Sequence, residues 1–173
     1  MEKSNAVEWD DRYTVGVQMI DEQHKELFSM INNFYPGCLK EGEKANIHFK
    51  LMVYGFINYI KYHFDTEEQF LERLKYPDSM AHKRQHDEFI RVILEKMEKV
   101  ELGQPVSFKN FTRYIRDWLV THITLIDKKY ATYIHFINGQ IKTADKSLPP
   151  VVHKIGPLHF SESAEIPSEM FFG

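Results

Sequence analysis

The sequence predicts an all-α protein, an up-down-up-down four-helix bundle with an N-terminal extended arm and an irregular C-terminal tail. Two observations predict this fold. Apolar residues recur at spacings of three and four along four long stretches, and short segments containing Gly or Pro separate those stretches. No alternation of period two is sustained, so no strand is predicted. Amphipathic helices joined by short turns pack as antiparallel neighbours.

Composition excludes several classes of protein. The chain has 173 residues and a formal net charge of -3, and its basic residues are spread along helix surfaces, so a nucleic-acid partner is not expected. Cys38 is the only cysteine, which excludes an intramolecular disulfide and any multi-cysteine metal site. The amino terminus has no apolar signal core, and the longest mostly apolar run is far shorter than the roughly 20 residues of a membrane span. We therefore expect a soluble cytoplasmic protein with no membrane partner.

The four helices follow in order along the chain. Residues 1–19 show no helical stripe and are expected to lie as an arm over a hydrophobic surface. The predicted helices then run from about Asp21 to Pro36, over about 44–74, from about 80 to the break at Gly103, and over about 107–136. We expect residues 1–138 to form the bundle. Residues 139–173 carry four prolines and no helical stripe, and are expected to be an irregular extension, either without chemistry of its own or strapped onto the bundle or a partner.

The second predicted helix carries a histidine and a carboxylate on its buried face. His63 and Glu67 are four residues apart, so they lie about 40° apart around the helix, whereas Asp65 and Glu68 are expected to point elsewhere. The apolar stripe of this helix runs along the same face. A buried, lone glutamate is costly, so another group in the core must neutralise it.

Five of the nine histidines replace apolar residues on the interior stripes. Counted from the ends of the helices, all five lie within one slab about 25–40 Å from one end of the bundle. They are His24, His63, His82, His86 and His122. Neutral imidazoles do not easily satisfy one another in a dry core and protonated ones repel, whereas imidazole nitrogens and carboxylate oxygens are natural ligands of a divalent transition metal. The sequence thus predicts a buried metal site, with His48, His135, His153 and His159 as non-ligands.

The number of ligands favours two ions. Five histidines and two carboxylates exceed the coordination of one ion, so two ions bridged by carboxylates are the natural count. Asp127 is the second carboxylate, but it lies five residues after His122, about 140° around a regular helix. Either Asp127 reaches around the cluster or the helix is locally widened; alternatively Asp127 is a solvated residue beside Lys128.

These segments resemble the hemerythrin domain of the bacterial type. The similarity extends from Trp9 to about Tyr133 and rests on four motifs: a segment around His24, His-Phe-Asp-Thr-Glu from His63, His-Lys-Arg-Gln-His from His82, and a segment from Trp118 through His122 to Asp127. The Glu-x-x-His pattern of ferritin-like di-iron proteins is absent, because no histidine follows a glutamate at a distance of three.

The resemblance implies a cofactor of two iron ions with O2 as their ligand. His82, His86 and His122 would hold one iron, and His24 and His63 the other. Glu67 and Asp127 would bridge them, together with an oxo or hydroxo group, and O2 would bind at an open position on the two-histidine iron. Phe28, Ile31, Ile60, Leu119 and Ile123 are the expected walls of a dry pocket.

The function implied by the resemblance is reversible O2 binding, for carriage, storage or delivery, without catalysis. Two alternatives stay open. One is a module that senses O2 or redox state and signals through its C-terminal tail to a protein partner. The other is a di-iron enzyme such as a peroxidase, an oxidase or a nitric-oxide-handling protein, against which the sequence offers only the lack of an identifiable substrate cleft or acid–base pair.

Overall fold

The computed structural model describes residues 7–38 and 43–144, and the side chains of residues 7–34 and 46–139. Helix α1 runs over Gln18–Cys38, α2 over Glu43–Arg73, and α3 over Ser79–Glu101. The fourth rod is continuous but has three parts: α4 over Phe108–Thr121, a π-helical segment over His122–Asp127, and α5 over Lys128–Ala144. A single 3-10 turn, Asp11–Tyr13, precedes α1, and the described residues contain no strand.

The four rods form a closed ring of antiparallel neighbours, which confirms the predicted four-helix bundle. Helix α1 packs against α2 and α4, and α2 packs against α3. Aromatic stacking closes the ring between α3 and α4, where the rings of Phe89 and Trp118 lie 3.8 Å apart. The apolar stripes of all four rods face inward and are buried, so the core runs the length of the bundle.

The N-terminal arm is bound to the bundle by hydrogen bonds as well as by apolar packing. The carboxylate of Asp21 accepts hydrogen bonds from the backbone N–H groups of Val15 and Gly16, at 2.7 and 3.2 Å. The side chain of Asn32 exchanges two hydrogen bonds with the backbone of Val7. The ring of Tyr13 is buried in the hydrophobic core. The described part of the predicted arm therefore lies on the bundle surface as expected.

Two helix ends use the same left-handed turn with different residues. After α2, Lys75 has a φ of 54°, its N–H donates to the carbonyl of Glu72, and the N–H of Tyr76 donates to that of Leu71. After α3, Gly103 has a φ of 67° and the hydrogen bonds repeat at the same spacing. This is the Schellman motif, in which glycine is preferred because a Cβ is strained at positive φ.

Three helix boundaries differ from the sequence prediction. Helix α1 begins at Gln18, three residues before Asp21, and continues through Pro36 to Cys38. The fourth rod continues through Gly139 to Ala144, past the predicted start of the irregular extension. Residues 145–173, on which the rest of that prediction falls, lie outside the described part of the chain.

Candidate metal centre

All seven side chains that the sequence singled out converge in the middle of the bundle. Helix α1 supplies one of them and each of the other three rods supplies two. Each residue is at most 3% exposed: His24, His63, Glu67, His82, His86, His122 and Asp127. The structure therefore brings together every predicted site residue, each on the rod and face that its spacing or its family resemblance required.

Three imidazoles and one carboxylate oxygen form the first half of the cluster. The Nε2 atom of His122 lies 3.0 Å from Nε2 of His86 and 3.3 Å from Nε2 of His82. Oε2 of Glu67 lies 3.1 Å from Nε2 of His82 and 3.3 Å from Nε2 of His86. Ligands at right angles around a transition metal with bonds of about 2.1 Å are about 3.0 Å apart, so these four atoms have the spacing of one coordination sphere.

The second half of the cluster has two imidazoles. Ligand atoms of His24, His63 and Glu67 all lie within 4.8 Å of one another. Asp127 lies between the two halves, because its Oδ2 is 3.5 Å from Nε2 of His24 while its Oδ1 is 3.2 Å from Nε2 of His122. Each carboxylate thus lies next to both halves of the cluster. The first half has three histidines and the second half has two.

The π-helical segment explains how Asp127 reaches the cluster. His122 and Asp127 are the first and last residues of that segment. In a π-helix the hydrogen bond joins residues five apart, so residues at i and i+5 lie one above the other, where a regular α-helix separates them by about 140°. Of the two geometric alternatives that the spacing left open, the locally widened helix is the one observed, and Asp127 is buried rather than solvated.

Three further side chains hold the cluster from outside, and the sequence prediction missed them. The Nδ1–H of His63 donates to Oε1 of Gln23 at 3.0 Å, and the Nδ1–H of His86 donates to Oε1 of Glu68 at 3.0 Å. The hydroxyl of Tyr130 donates to Oε1 of Glu67 at 2.6 Å.

The sequence offers a signal for only one of those three. A tyrosine on a fully buried stripe needs a hydrogen-bond partner for its hydroxyl, so Tyr130 predicts a polar neighbour in the core. The expectation that Glu68 points away from the cluster is wrong. Its side chain is long enough to pass from the edge of the α2 stripe to the outer nitrogen of His86 on α3.

Aromatic rings fix the orientation of two imidazoles. The ring of Phe64 stacks on His86 with centroids 3.7 Å apart and planes within 4°. The indole of Trp118 stacks on His122 at 4.4 Å and 12°. Parallel rings at this distance limit rotation of each imidazole, so their Nε2 atoms stay directed at the same point.

Burial sets the charges of the cluster. It lowers the pKa of His63 to about 4, and together with neighbouring imidazoles it holds the pKa values of His24 and His122 well below the usual one. Burial also raises the pKa of Asp127 well above its usual value, helped by the charge of Glu67. For Glu67 burial acts in the same direction, but hydrogen bonds with His82 and His86 outweigh it and hold its pKa well below the usual value.

A cation fits what the protein groups leave unsatisfied. Among the described residues, neither ring nitrogen of His24 and neither carboxylate oxygen of Asp127 has a hydrogen-bond partner, although all four atoms are buried. Buried polar atoms without partners cost free energy. A divalent metal ion would accept a lone pair from one ring nitrogen of His24 and from the carboxylate of Asp127, and would let that carboxyl ionise despite its burial. The donor set of imidazole nitrogens and carboxylate oxygens suits a transition metal such as iron.

The remaining predictions about the site concern its walls and the other histidines. The five expected wall residues, Phe28, Ile31, Ile60, Leu119 and Ile123, are all buried. His48 and His135 are exposed, so they lie away from the cluster. His153 and His159 lie outside the described residues.

The fold and the site define a four-helix bundle protein with a buried histidine–carboxylate cluster that can hold metal. The family model described as "Hemerythrin HHE cation binding domain" matches residues 15–134. The chain belongs to the hemerythrin family, which binds non-haem iron, and the predicted resemblance is confirmed.

Individual relatives agree with the family match. The chain is 33% identical over 118 residues to a bacteriohemerythrin of Methylococcus capsulatus, covering 68% of this chain and 88% of that protein. It is 30% identical over 142 residues to a bacteriohemerythrin of Pseudomonas aeruginosa, covering 80% and 88%. A crystal structure of wild-type hemerythrin matches with a TM-score of 0.67 and 29% identity, covering 73% of this chain and 95% of that one.

Among the described residues, no helix combines the length and the hydropathy that a crossing of the bilayer requires.

Proposed function

We propose that this protein binds O2 reversibly at a pair of non-haem iron ions. His82, His86 and His122 would hold one ion, His24 and His63 would hold the other, and Glu67 and Asp127 would lie between the two. The observation that carries the proposal is the division of the cluster, three imidazoles against two with both carboxylates between them. With one imidazole fewer on one side, an iron pair held by these residues would have a coordination position open to O2.

The protein groups contribute charge balance and dryness. Two carboxylates offset half of the formal charge of two divalent ions, which lowers the cost of burying the centre. The five apolar walls carry no titratable group and exclude water from the cluster. The hydroxyl of Tyr130, which reaches the cluster, donates its proton to Glu67. A dry site favours release of the bound molecule as O2.

Reversible oxygenation tests the proposal. The full chain is loaded anaerobically with Fe(II), exposed to O2, returned to argon and exposed again, while its visible absorption is recorded. We expect a band that appears under O2, disappears under argon and returns over several cycles, with two iron ions per chain. His63→Ala should abolish the band, and His48→Ala, at an exposed histidine away from the cluster, should leave it unchanged.

The same experiment separates the alternatives. A band that forms once and is replaced by irreversibly oxidised protein would overturn reversible carriage and favour a sensor or an enzyme. Turnover of an added reductant with O2 or peroxide would favour an enzyme. One iron per chain, or a His63→Ala protein that oxygenates normally, would contradict the assigned site.

A further inference from the structure

The two halves of the cluster differ in what lies behind their imidazoles. In the three-histidine half, the outer nitrogen of His86 is bonded to a carboxylate, that of Glu68. In the two-histidine half, the outer nitrogen of His63 is bonded to a neutral amide, that of Gln23. The outer nitrogen of His24 has no hydrogen-bond partner among the described residues. The two halves of the cluster therefore differ in the charge of the group that is bonded to the outer nitrogens of their imidazoles.

Glu68 is held in place by groups on both of its oxygens. Oε1 accepts the Nδ1–H of His86 at 3.0 Å, and Oε2 accepts from Nζ of Lys83 at 2.7 Å. Lys83 also donates to Asp87, one turn along α3, at 3.3 Å. With both oxygens bonded, the carboxylate plane is fixed. Because a carboxylate only accepts, the proton of His86 is on Nδ1 and the lone pair of Nε2 is directed into the cluster.

Glu68 lies at the border between the core and solvent. A surface cleft of about 290 Å³ opens beside it, and the walls of that cleft include Phe64, Lys83 and His86. Substitution of Glu68 therefore changes a half-buried side chain at the edge of the bundle and leaves the apolar core intact.

Gln23 has the corresponding position in the other half, without the charge. Its Nε2 donates to Oγ1 of Thr66 at 3.4 Å, and this bond turns its Oε1 toward His63. The amide fixes the same tautomer in His63 that the carboxylate fixes in His86. A neutral acceptor, however, adds less electron density to the imidazole than a carboxylate does.

We propose that Glu68 is a positioning residue that makes the three-histidine half the tighter metal site, so that the chain takes up one ion there before a second ion at the two-histidine half. This inference rests on the proposed function, because it assumes that the cluster holds two ions. A carboxylate bonded to a ligating imidazole raises the basicity of that ligand and fixes its orientation. The stacked ring of Phe64 adds a further restraint on the same imidazole.

Anaerobic titration of the metal-free full chain with Co(II) tests this order of uptake. Visible spectroscopy and calorimetry record the two binding steps, and His63→Ala identifies the first step because it should remove only the second. We expect Glu68→Ala to weaken the first step by about 10- to 100-fold, the usual cost of losing such an outer partner, and to leave the second step within about twofold. Glu68→Gln keeps a hydrogen-bond acceptor without the charge, so it should weaken the first step less than Glu68→Ala does.

Two further variants complete the design. Glu72→Gln changes the same charge at an exposed position on α2, and both steps should stay as in the wild type. Gln23→Glu places a carboxylate behind His63 and should strengthen the second step. If Gln23→Glu does not fold, as circular dichroism would show, the Glu68 series alone decides.

The outcomes separate this inference from the proposed function. Glu68 variants that bind both ions as the wild type does, or that weaken both steps equally, overturn the role of Glu68. If the wild-type chain takes up two ions and oxygenates reversibly, the proposed function stands even then. If the wild-type chain takes up no pair of ions, both the proposed function and the role of Glu68 are wrong.

Discussion

The hydroxyl of Tyr130 donates a 2.6 Å hydrogen bond to Oε1 of Glu67, and both residues are completely buried. The other oxygen of Glu67 faces His82 and His86. One carboxylate thus connects α2 with α3 and with the fourth rod. The bond also explains how a charged glutamate is tolerated in the core, since it adds a neutral donor to the surrounding imidazoles.

Replacing Tyr130 with Phe should lower the stability of the metal-free protein by about 1.5–3 kcal/mol, the usual contribution of a hydrogen bond to a charged group. The phenyl ring keeps the apolar contacts, so the loss of stability measures the contribution of the hydroxyl. Urea denaturation measures the change. Tyr133→Phe is the matched control, because Tyr133 lies one turn along α5 and contacts Tyr76 through its ring. Equal losses for the two variants would contradict the role assigned to Tyr130.

The stability of the metal-free protein should fall as the pH drops from about 6.5 to about 4. Burial lowers the pKa of His63 to about 4, and the pKa values of His24 and His122 are also well below the usual value. In this pH range the three histidines are neutral when folded and take up protons when unfolded. Unfolding therefore gains three protons from them, and acid favours the unfolded chain.

Other groups modify this uptake. Burial raises the pKa of Asp127, so its folded carboxyl keeps a proton that the unfolded chain releases, which offsets part of the uptake. For Glu67, burial is outweighed by hydrogen bonds with His82 and His86 that hold its pKa well below the usual value, so toward pH 4 the unfolded glutamate takes up a proton that the folded one does not. The pKa of His86 is raised, because hydrogen bonds to Glu67 and Glu68 outweigh its burial, but that shift acts above about pH 6.5. Denaturation across a pH series measures the uptake from its slope. A flat profile, or stability that rises toward pH 4, would contradict this accounting.

The two Schellman turns give a paired prediction. Lys75→Gly should stabilise the protein by about 0.5–1 kcal/mol, because it removes the strain of a Cβ at positive φ. Gly103→Ala should destabilise it by a similar amount, since its φ of 67° strains any side chain. Thermal and urea denaturation measure both. If Lys75→Gly destabilises the protein, the lysine side chain contributes more to stability than the strain at its positive φ costs.

The helices and most of the site could be predicted from apolar periodicity alone. His63, Glu67, His82 and His86 fall on stripes of period 3.6, and that period holds because the helices are regular there. Asp127 could not be predicted in this way, because a π-helical segment breaks the period at the residue where the site needs it. Only the resemblance of its segment to a known motif indicated that Asp127 belongs to the site. Glu68 was missed because periodicity locates a Cα atom and not the end of a long side chain.

The π-helical segment predicts an unusual tolerance to deletion. Leu125 lies within it and is 61% exposed. Removing Leu125 leaves His122 and the aspartate four residues apart, which places them about 40° apart on a regular α-helix. The variant should therefore keep its helical content and bind two metal ions.

Deletion of exposed Lys129 is the matched control for that variant. Lys129 lies in the regular helix α5, so its removal rotates Tyr130, Ala131 and Ile134 out of the core by about 100°. Circular dichroism and metal titration compare the two deletions. We expect the Lys129 deletion to lose several kcal/mol of stability, the scale of removing large side chains from a core. Loss of the fold in the Leu125 deletion, with the Lys129 deletion intact, would contradict the role of the π-helical segment.

Anomalous diffraction at the iron edge, from crystals of the iron-loaded protein, tests the central claim most directly. We expect two peaks per chain, one bonded to His82, His86 and His122 and the other to His24 and His63, with Glu67 and Asp127 between them. A single peak, or iron bound elsewhere in the chain, would contradict the account.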